Sequence, residues 1–188
     1  MMNRAIQSIL GFGLYSLFCS TLFAADIVAG ERKATACFSC HGQEGNSANP
    51  LVPTLAGQQA AYLTAQITAY RDNKRTNPIM PSQVKNLSDN DIIDIAAYFA
   101  GRKMKSTGGN ATLAAQGASK AGQCSGCHTA AFAGRGMIPK LSGQHAAYLV
   151  KQLQSFKAGT RKSGPMQAIS ANLSDIDMDQ LAAYLGTL

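Results

Sequence analysis

The chain of 188 residues has 17 Lys and Arg against 10 Asp and Glu, a formal net charge of +7, and 46% of its residues are hydrophobic. This length fits one domain of ordinary size or two small ones. Because 7% of the residues are aromatic and there is no Trp, the composition argues against two small domains stabilised by side-chain packing alone. Such domains would need a disulfide, a metal or a large buried cofactor.

The N-terminal segment has the three parts of a secretory signal peptide. Arg4 provides a positive charge, the run from Ile6 to Phe23 is apolar, and Ala24 and Ala25 are small residues suited to a cleavage site. We predict that residues 1–25 are a cleaved signal peptide, and the alternative is a retained membrane anchor. Cleavage implies export from the cytoplasm, which argues against a nucleic acid partner although the chain is basic.

The remainder of the sequence is an internal duplication. The motif CxxCH begins at Cys37 and again at Cys124, and the segment 57–63 recurs at 143–149 with six of seven residues identical. Other matched pairs are Gly30 with Gly117, Pro53 with Pro139, Met80 with Met166, and Tyr98 with Tyr184. Two copies are too few for a solenoid, so we predict two copies of one small domain.

Each copy is predicted to be all-α. Between Gln58 and Arg75, apolar residues recur at three- and four-residue steps, which is typical of a helix. Ser88 followed by Asp91 predicts a capped helix that ends near Gly101, and Ser174 opens the matching helix of the second copy. No run alternates for long enough to predict a strand. Three main helices and their connecting loops would then form each copy.

We predict the domain boundaries from these patterns. The N-terminal domain covers residues 26–103, a linker covers 104–112, and the C-terminal domain covers 113–188. The linker region is rich in Gly and charged residues, which predicts an exposed connection. Residues 42–57 and 129–143 are rich in Gly, Pro, Asn or Ser and are predicted to be loops.

The two CxxCH motifs predict covalent attachment of two haem c groups. In each motif, two thiols add to the vinyl groups of one haem, and the adjacent His binds the iron as the proximal ligand. The predicted attachment residues are Cys37, Cys40, Cys124 and Cys127, and the predicted proximal ligands are His41 and His128. A covalently held haem would supply the apolar bulk that the side chains lack.

Other uses of paired cysteines fit the sequence less well. A thioredoxin-like redox pair needs a βαβ context, which the predicted elements do not provide. A four-Cys zinc site would have to join Cys40 to Cys124, 84 positions away, far beyond the usual spacing. Disulfides are common in exported proteins. None of these alternatives requires a His directly after each pair.

The sixth iron ligands are predicted from the repeat. Met80 lies 39 residues after His41, and Met166 lies 38 residues after His128, each in the loop before the last helix of its copy. Met is a soft thioether ligand that raises the haem potential. A single Met is more often core filler, but these two are equivalent. The Met residues without such a counterpart are Met104, Met137 and Met178.

The chain resembles the dihaem cytochrome c4 family from about Ile27 to Leu188. The resemblance rests on the two CxxCH units, the matched Met80 and Met166, the repeated Gly-Gln-x-Ala-Ala-Tyr-Leu segments and the Asn-Leu-Ser openings followed by Ala-Ala-Tyr. It implies two tandem class I cytochrome c-like domains, related by a pseudo-twofold axis, with haem edges facing each other. Such proteins are periplasmic, and soluble or loosely membrane-associated.

The resemblance also assigns roles to other repeated residues. Pro53 and Pro139 match a Pro beside the proximal His in class I domains, where a backbone carbonyl can accept the His ring N–H. Gly30 and Gly117 are expected to let the first helix of each copy cross the last one closely. His145 replaces a Gln of the first copy, so we expect no ligand role for it.

The function implied is electron transfer rather than catalysis, because two six-coordinate irons leave no open site. We expect single electrons to pass from a respiratory donor to a terminal oxidase or another acceptor. Redox protein partners would dock transiently, guided by charge. Candidate basic residues for this contact are Arg102, Lys103, Lys105, Lys157, Arg161 and Lys162.

Two alternative functions remain at this point. The chain could be the dihaem electron-transfer subunit of a flavoprotein sulfide dehydrogenase-type complex, in which the partner performs the chemistry. A dihaem peroxidase fits least well, because it needs an iron with a vacant or displaceable ligand and is a longer chain. The sequence leaves the oligomeric state open.

Overall fold

The computed structural model describes residues 24–188, so residues 1–23 of the predicted signal peptide lie outside the described part of the chain. The described residues are helical, apart from turns, loops and one isolated antiparallel bridge between Arg135 and Ile138. The prediction of an all-α fold is therefore confirmed. Within the same residues, no helix combines the length and the hydropathy needed to cross a bilayer.

Each copy contains the same series of helices along the described chain. In the first copy these are α1 Ile27–Ala34, α2 Phe38–His41, α3 Ala60–Arg71, α4 Met80–Val84 and α5 Asp89–Ala100. In the second copy they are α6 Ala111–Ala118, α7 Gly122–His128, α8 Ala146–Lys157, α9 Gly164–Ala171 and α10 Asp175–Thr187. The predicted repeat is thus a repeat of structure as well as of sequence.

The prediction that Met80 and Met166 lie in loops is wrong. Met80 is the first residue of the short helix α4, and Met166 lies inside α9. Each of these helices has a Pro in its first turn, where the missing N–H costs nothing and the fixed φ favours the helix. With 5 residues in α4 and 8 in α9, both helices are too short to show a helical period in the sequence.

The first helix of the second copy begins among the residues predicted to form the linker, 104–112. Asn110 caps α6 by accepting a hydrogen bond from Leu113 N, so the helix begins inside the predicted linker. The preceding segment is mostly exposed, as predicted, but it is held in place. The side chain of Asn46 bonds Lys103 O at 3.1 Å and Lys105 N at 2.8 Å. The linker is therefore fixed against the first domain.

Glycines permit the closest helix crossings of both copies. α1 packs across α5 at Gly30, where an added Cβ would lie 2.6 Å from the carbonyl carbon of Asp94 and 3.2 Å from the Cβ of Tyr98. α6 crosses α10 at Gly117, where an added Cβ would lie 2.5 Å from the carbonyl carbon of Gln180. The expectation of close crossings at these two glycines is confirmed.

The two domains have separate hydrophobic cores. The first is formed chiefly by Leu63, Ile92, Ile95, Tyr98 and Phe99. The second is formed chiefly by Phe132, Leu149, Met178, Leu181 and Leu185. Both cores are small, and one Cys of each CxxCH motif, Cys37 or Cys124, packs at the core margin. The haem attachment positions therefore border the apolar interior of each domain.

Capping boxes start both last helices, as predicted. In α5, Ser88 Oγ accepts from Asp91 N at 3.2 Å, while Asp91 Oδ2 accepts from Ser88 N at 2.9 Å. Ser174 and Asp177 repeat the arrangement in α10. Lys33 of α1 also bonds the Asp91 carboxylate, so the cap ties the first helix to the last one.

We expect Asp91→Asn to lower the free energy of unfolding at pH 7 by about 1 kcal/mol, the usual value of a cap. The hydrogen bond from Lys33, and then those from Ser88, lower the pKa of Asp91 to about 2. Because the folded pKa lies below the unfolded one, this stability is present above about pH 4 and is lost as the pH falls toward 2.

Urea unfolding of the holoprotein at pH 7 and near pH 2.5 would test this pH dependence. The difference between the wild type and Asp91→Asn should shrink at the lower pH. Asp175→Asn is the control, because Asp175 is an exposed first-turn carboxylate of α10 outside the capping box. A difference for Asp91→Asn that stays constant across this pH range would contradict the prediction.

Candidate haem-binding sites

Each CxxCH motif ends a helix at its His. His41 is the last residue of α2, and Gly42 follows with φ of 78°. His128 is the last residue of α7, and Thr129 follows with φ of 70°. A positive φ breaks the helix immediately after the His, so the chain turns away and leaves the imidazole at the helix end. Gly adopts this conformation without strain, whereas Thr does not.

Both imidazoles are oriented by backbone carbonyls. His41 Nδ1 lies 2.8 Å from Pro53 O, and His128 Nδ1 lies 2.8 Å from Pro139 O. This confirms the expected role of the two prolines. A carbonyl only accepts, so Nδ1 carries the proton and donates it, and the Nε2 lone pair remains for iron. The ring orientation and tautomer are those of a proximal haem ligand.

Burial also keeps these imidazoles neutral. Both rings are buried, and desolvation lowers the pKa of His41 and His128, although the bond to the Pro carbonyl opposes the shift. A neutral ring is the form that binds a metal. The net effect favours the neutral ring, and the Pro carbonyl then selects the tautomer that carries its proton on Nδ1.

None of the four motif cysteines forms a disulfide in the described part of the chain. Cys40 and Cys127 are exposed, whereas Cys37 and Cys124 are half-buried, and burial raises the pKa of the latter two thiols. Among residues 24–188, no three or more His, Cys, Asp or Glu side chains cluster as a metal site. The two motifs thus do not converge on a shared zinc site. They fit haem, which needs two free thiols beside a His.

The predicted methionine ligands lie on corresponding short helices of the two domains. Met80 packs at the margin of the same core that Cys37 borders, and its backbone N donates to Asn77 Oδ1 at 2.9 Å. Met166 is half-buried in the corresponding helix α9. Both side chains remain flexible thioethers suited to iron. Their assignment as ligands stays a prediction.

The interface between the domains contains a pair of glutamines for which the sequence predicted no role. Gln144 of the second domain bonds both backbone groups of Thr54, accepting from N and donating to O, each at 2.9 Å. Gln58 of the first domain bonds Lys140 in the same way, at 2.7 and 3.0 Å. Both glutamines lie in the most nearly identical segment of the repeat, and this identity is the sequence feature that could have indicated a role for them.

Arginines also cross the interface. Arg75 Nη1 donates to Gln66 Oε1 at 2.7 Å, and Arg75 Nη2 donates to Gln152 Oε1 of the other domain at 2.8 Å. Arg161 bonds the same two glutamines, at 2.8 Å to Gln152 and 3.1 Å to Gln66. Arg161 also donates to Tyr62 OH at 2.7 Å. The two domains are therefore held together by reciprocal polar contacts.

This cluster corrects part of the predicted partner surface. Arg161 is half-buried between the domains instead of facing solvent. The Lys157 ammonium bonds Leu173 O at 2.5 Å, and Arg102 lies over the Tyr98 ring at 4.6 Å. The exposed members of the predicted set are Lys103, Lys105, Lys157 and Lys162.

His145 lies at the interface between the domains. Its Nε2 is 2.9 Å from Ser47 O of the first domain, so its ring is used in a contact between the copies. It is the residue that replaces Gln59 of the first copy, whose side chain bonds Ala133 O of the second domain at 2.8 Å. Both positions of this repeated pair therefore join the domains.

Comparison with known proteins agrees with the duplicated sequence. The family model for cytochrome c matches the chain twice, over residues 27–103 and 114–188. The chain is 40% identical over 200 residues to a cytochrome c4 of Pseudomonas aeruginosa, with 98% of each chain covered. It is 36% identical over 172 residues to a thiosulfate dehydrogenase electron acceptor of Stutzerimonas stutzeri, covering 82% of this chain and 80% of that protein.

A solved structure matches the fold. The crystal structure of reduced recombinant cytochrome c4 from Pseudomonas stutzeri superposes with a TM-score of 0.83 at 35% sequence identity. The match covers 88% of this chain and 100% of that chain. Duplicated sequence, duplicated helices and a matching two-domain structure therefore agree.

Proposed function

Since the chain belongs to the dihaem cytochrome c4 family, we propose that it works in the periplasm and passes single electrons from a respiratory donor to a terminal oxidase or a similar acceptor. The chain is an electron carrier with two covalently bound haem c groups, rather than an enzyme. The observation that carries the proposal is the duplicated proximal site, with a buried neutral His whose Nδ1 is bonded to a Pro carbonyl.

We assign the haem contacts from the same geometry. Cys37 and Cys40 attach one haem, and Cys124 and Cys127 attach the other. His41 and His128 bind the irons through Nε2, and Met80 and Met166 complete the coordination as sixth ligands. The absence of disulfides at the motif cysteines, the carbonyl-bound imidazoles and the equivalent positions of the methionines in the repeat support this assignment.

The protein residues would keep the electron transfer simple. Each haem supplies an iron that cycles between the ferrous and ferric states. With His and Met as its protein ligands, each iron would have no position for a substrate, and an imidazole fixed by a carbonyl would change little between the oxidation states. The methionine sulfur favours ferrous iron and so raises the potential. These features suit a carrier that exchanges electrons through brief contacts with redox proteins.

A second candidate concerns the electron donor. The similarity to a thiosulfate dehydrogenase electron acceptor, and to the thiosulfate dehydrogenase structure of Marichromatium purpuratum at a TM-score of 0.79 and 28% identity, favours a thiosulfate-oxidising enzyme as the donor. That match covers 86% of this chain and 40% of the other chain. Reduction of the ferric protein by a purified thiosulfate dehydrogenase and thiosulfate would test it. The flavoprotein-complex alternative remains a prediction.

We expect the protein isolated from a periplasmic extract to contain two haems per chain, to show low-spin spectra when oxidised and when reduced, and to be unchanged by carbon monoxide. A Met–iron charge-transfer band should appear in the oxidised form. These results follow because two six-coordinate irons leave no position for an external ligand. The measurements are a haem assay and optical spectra with and without carbon monoxide.

The outcomes of this experiment separate the parts of the proposal. A low-spin protein with two haems in the periplasmic fraction supports the electron-carrier function, the assigned iron ligands and the periplasmic location together. Strong binding of carbon monoxide by the wild type would show that Met80 or Met166 is wrongly assigned. Recovery of the protein in the cytoplasmic fraction would contradict the proposed location.

A further inference from the structure

One peptide group joins each predicted proximal ligand to the opposite domain. The peptide between Pro53 and Thr54 accepts the His41 Nδ1 proton at its carbonyl, over 2.8 Å. The N–H of the same peptide donates to Gln144 Oε1 over 2.9 Å. Because the carbonyl and the N–H belong to one conjugated unit, an unbroken chain of hydrogen bonds runs from the first domain's imidazole to the second domain's carboxamide.

The second domain has the reciprocal chain. His128 Nδ1 donates to Pro139 O over 2.8 Å, and Lys140 N donates to Gln58 Oε1 over 2.7 Å. Each Gln also donates from Nε2 to the carbonyl of the residue it holds. The two-point contact fixes each carboxamide plane, so each Gln holds the backbone beside the other domain's His.

Most of this contact is shielded from water, although Lys140 is half-buried. Thr54 is 2% exposed, Gln144 3% and Gln58 5%. Hydrogen bonds in such an environment are stronger than in water and polarise one another along a chain. A buried peptide N–H that lost its acceptor would find no replacement in solvent. The electronic state of the Pro carbonyl therefore depends on the Gln of the opposite domain.

We propose that Gln58 and Gln144 are positioning residues through which each domain tunes the haem potential of the other. Donation of the peptide N–H to the Gln oxygen makes the Pro carbonyl a better acceptor. The stronger bond at Nδ1 makes the imidazole a better donor to iron, as second-shell partners do, and this favours the ferric state. The inference rests on the proposed function, because it takes His41 and His128 as the iron ligands.

The inference predicts a crossed pattern of effects. Gln144→Met keeps the length of the side chain but removes its hydrogen bonds, so it should raise the potential of the N-terminal haem more than that of its own domain. Gln58→Met should raise the potential of the C-terminal haem in the same way. Exchange of the corresponding His Nδ1 proton with deuterium should become about tenfold faster, as loss of one hydrogen bond allows.

Gln59→Met is the matched control. Gln59 is adjacent to Gln58 and also reaches across the interface, where it bonds Ala133 O. This bond does not involve either of the peptides whose carbonyl accepts the His Nδ1 proton. If the crossed pattern arises from the hydrogen-bond chains, Gln59→Met should leave both potentials and both exchange rates near the wild-type values. NMR through a redox titration gives each haem's potential separately, after assignment through the CxxCH residues of each domain.

Equal shifts of both haems in Gln144→Met would overturn the inference, because they would indicate general loosening of the interface. A shift confined to the C-terminal haem in Gln144→Met would also overturn the inference. Effects of Gln59→Met as large as those of Gln144→Met would overturn it as well. If Gln144→Met does not accumulate as holoprotein, Gln144→Asn, which is too short for both bonds, must give the same crossed shift. If Gln144→Met keeps two low-spin haems and both potentials stay unchanged, this inference is overturned and the proposed function stands. If the wild type itself lacks two low-spin haems, the proposed function is overturned first.

Discussion

Met166→Ala is expected to leave one of the two irons high-spin and able to bind about one carbon monoxide per chain. Ala has no sulfur to offer, so the sixth position of the C-terminal haem would be open or filled by a weak ligand. The potential of that haem should fall, because a thioether ligand favours ferrous iron. Optical spectra and carbon monoxide titration of the reduced protein measure both the spin change and the stoichiometry.

Met137→Ala is the control for this substitution. Met137 belongs to the same domain, is 60% exposed and has no counterpart in the first copy, so its loss should leave the spectrum unchanged. Met80→Ala should open the other haem in the same manner. Low-spin spectra and no carbon monoxide binding in Met166→Ala would show that another group is the sixth ligand.

Gly30→Ala is expected to destabilise the N-terminal domain by about 1–3 kcal/mol, the usual cost of overpacking. The new Cβ would lie 2.6 Å from the carbonyl carbon of Asp94, which is backbone of α5 and cannot rotate away. The helices α1 and α5 would have to separate, which disturbs the core beneath the first CxxCH motif. Urea unfolding of the holoprotein, followed by circular dichroism and haem absorbance, measures the loss.

Gly101→Ala tests whether the close approach causes the loss. Gly101 also belongs to the first domain, at the end of α5, but an added Cβ would lie 3.6 Å from its nearest neighbour, Tyr98 O. That is ordinary van der Waals contact, so this variant should unfold nearly as the wild type does. Equal stabilities for Gly30→Ala and Gly101→Ala would show that the α1–α5 crossing relaxes easily.

Features encoded by neighbouring residues were predictable from the sequence. A CxxCH motif places its thiols and its imidazole within five consecutive residues, and a capping box needs only four. Ser88 and Asp91 therefore predicted the start of α5 correctly. The duplication was visible because the second copy preserves these local patterns. Even the carbonyls of Pro53 and Pro139 could be expected, since resemblance to a known class supplied their positions.

Features that depend on packing were predicted poorly. The segments around Met80 and Met166 form short helices, which are marginal in isolation and are stabilised by contacts within the domain. Arg161 lies in a basic cluster typical of an exposed surface, yet it bonds Gln152 of its own domain, and Gln66 and Tyr62 across the interface. Its partners in the other domain lie 95 and 99 positions away, beyond any local pattern.

The sequence by itself determined that this chain is a duplicated, all-α protein with two covalent haem sites, because covalent attachment and helix capping act over a few adjacent residues. Tertiary structure alone decided how the two sites are joined. Gln144 meets Thr54 from 90 positions away, and Gln58 meets Lys140 from 82. The folded domains shield most of these contacts from water. An unpaired peptide group there would cost free energy, so each peptide group needs a side chain of the other domain as its hydrogen-bond partner.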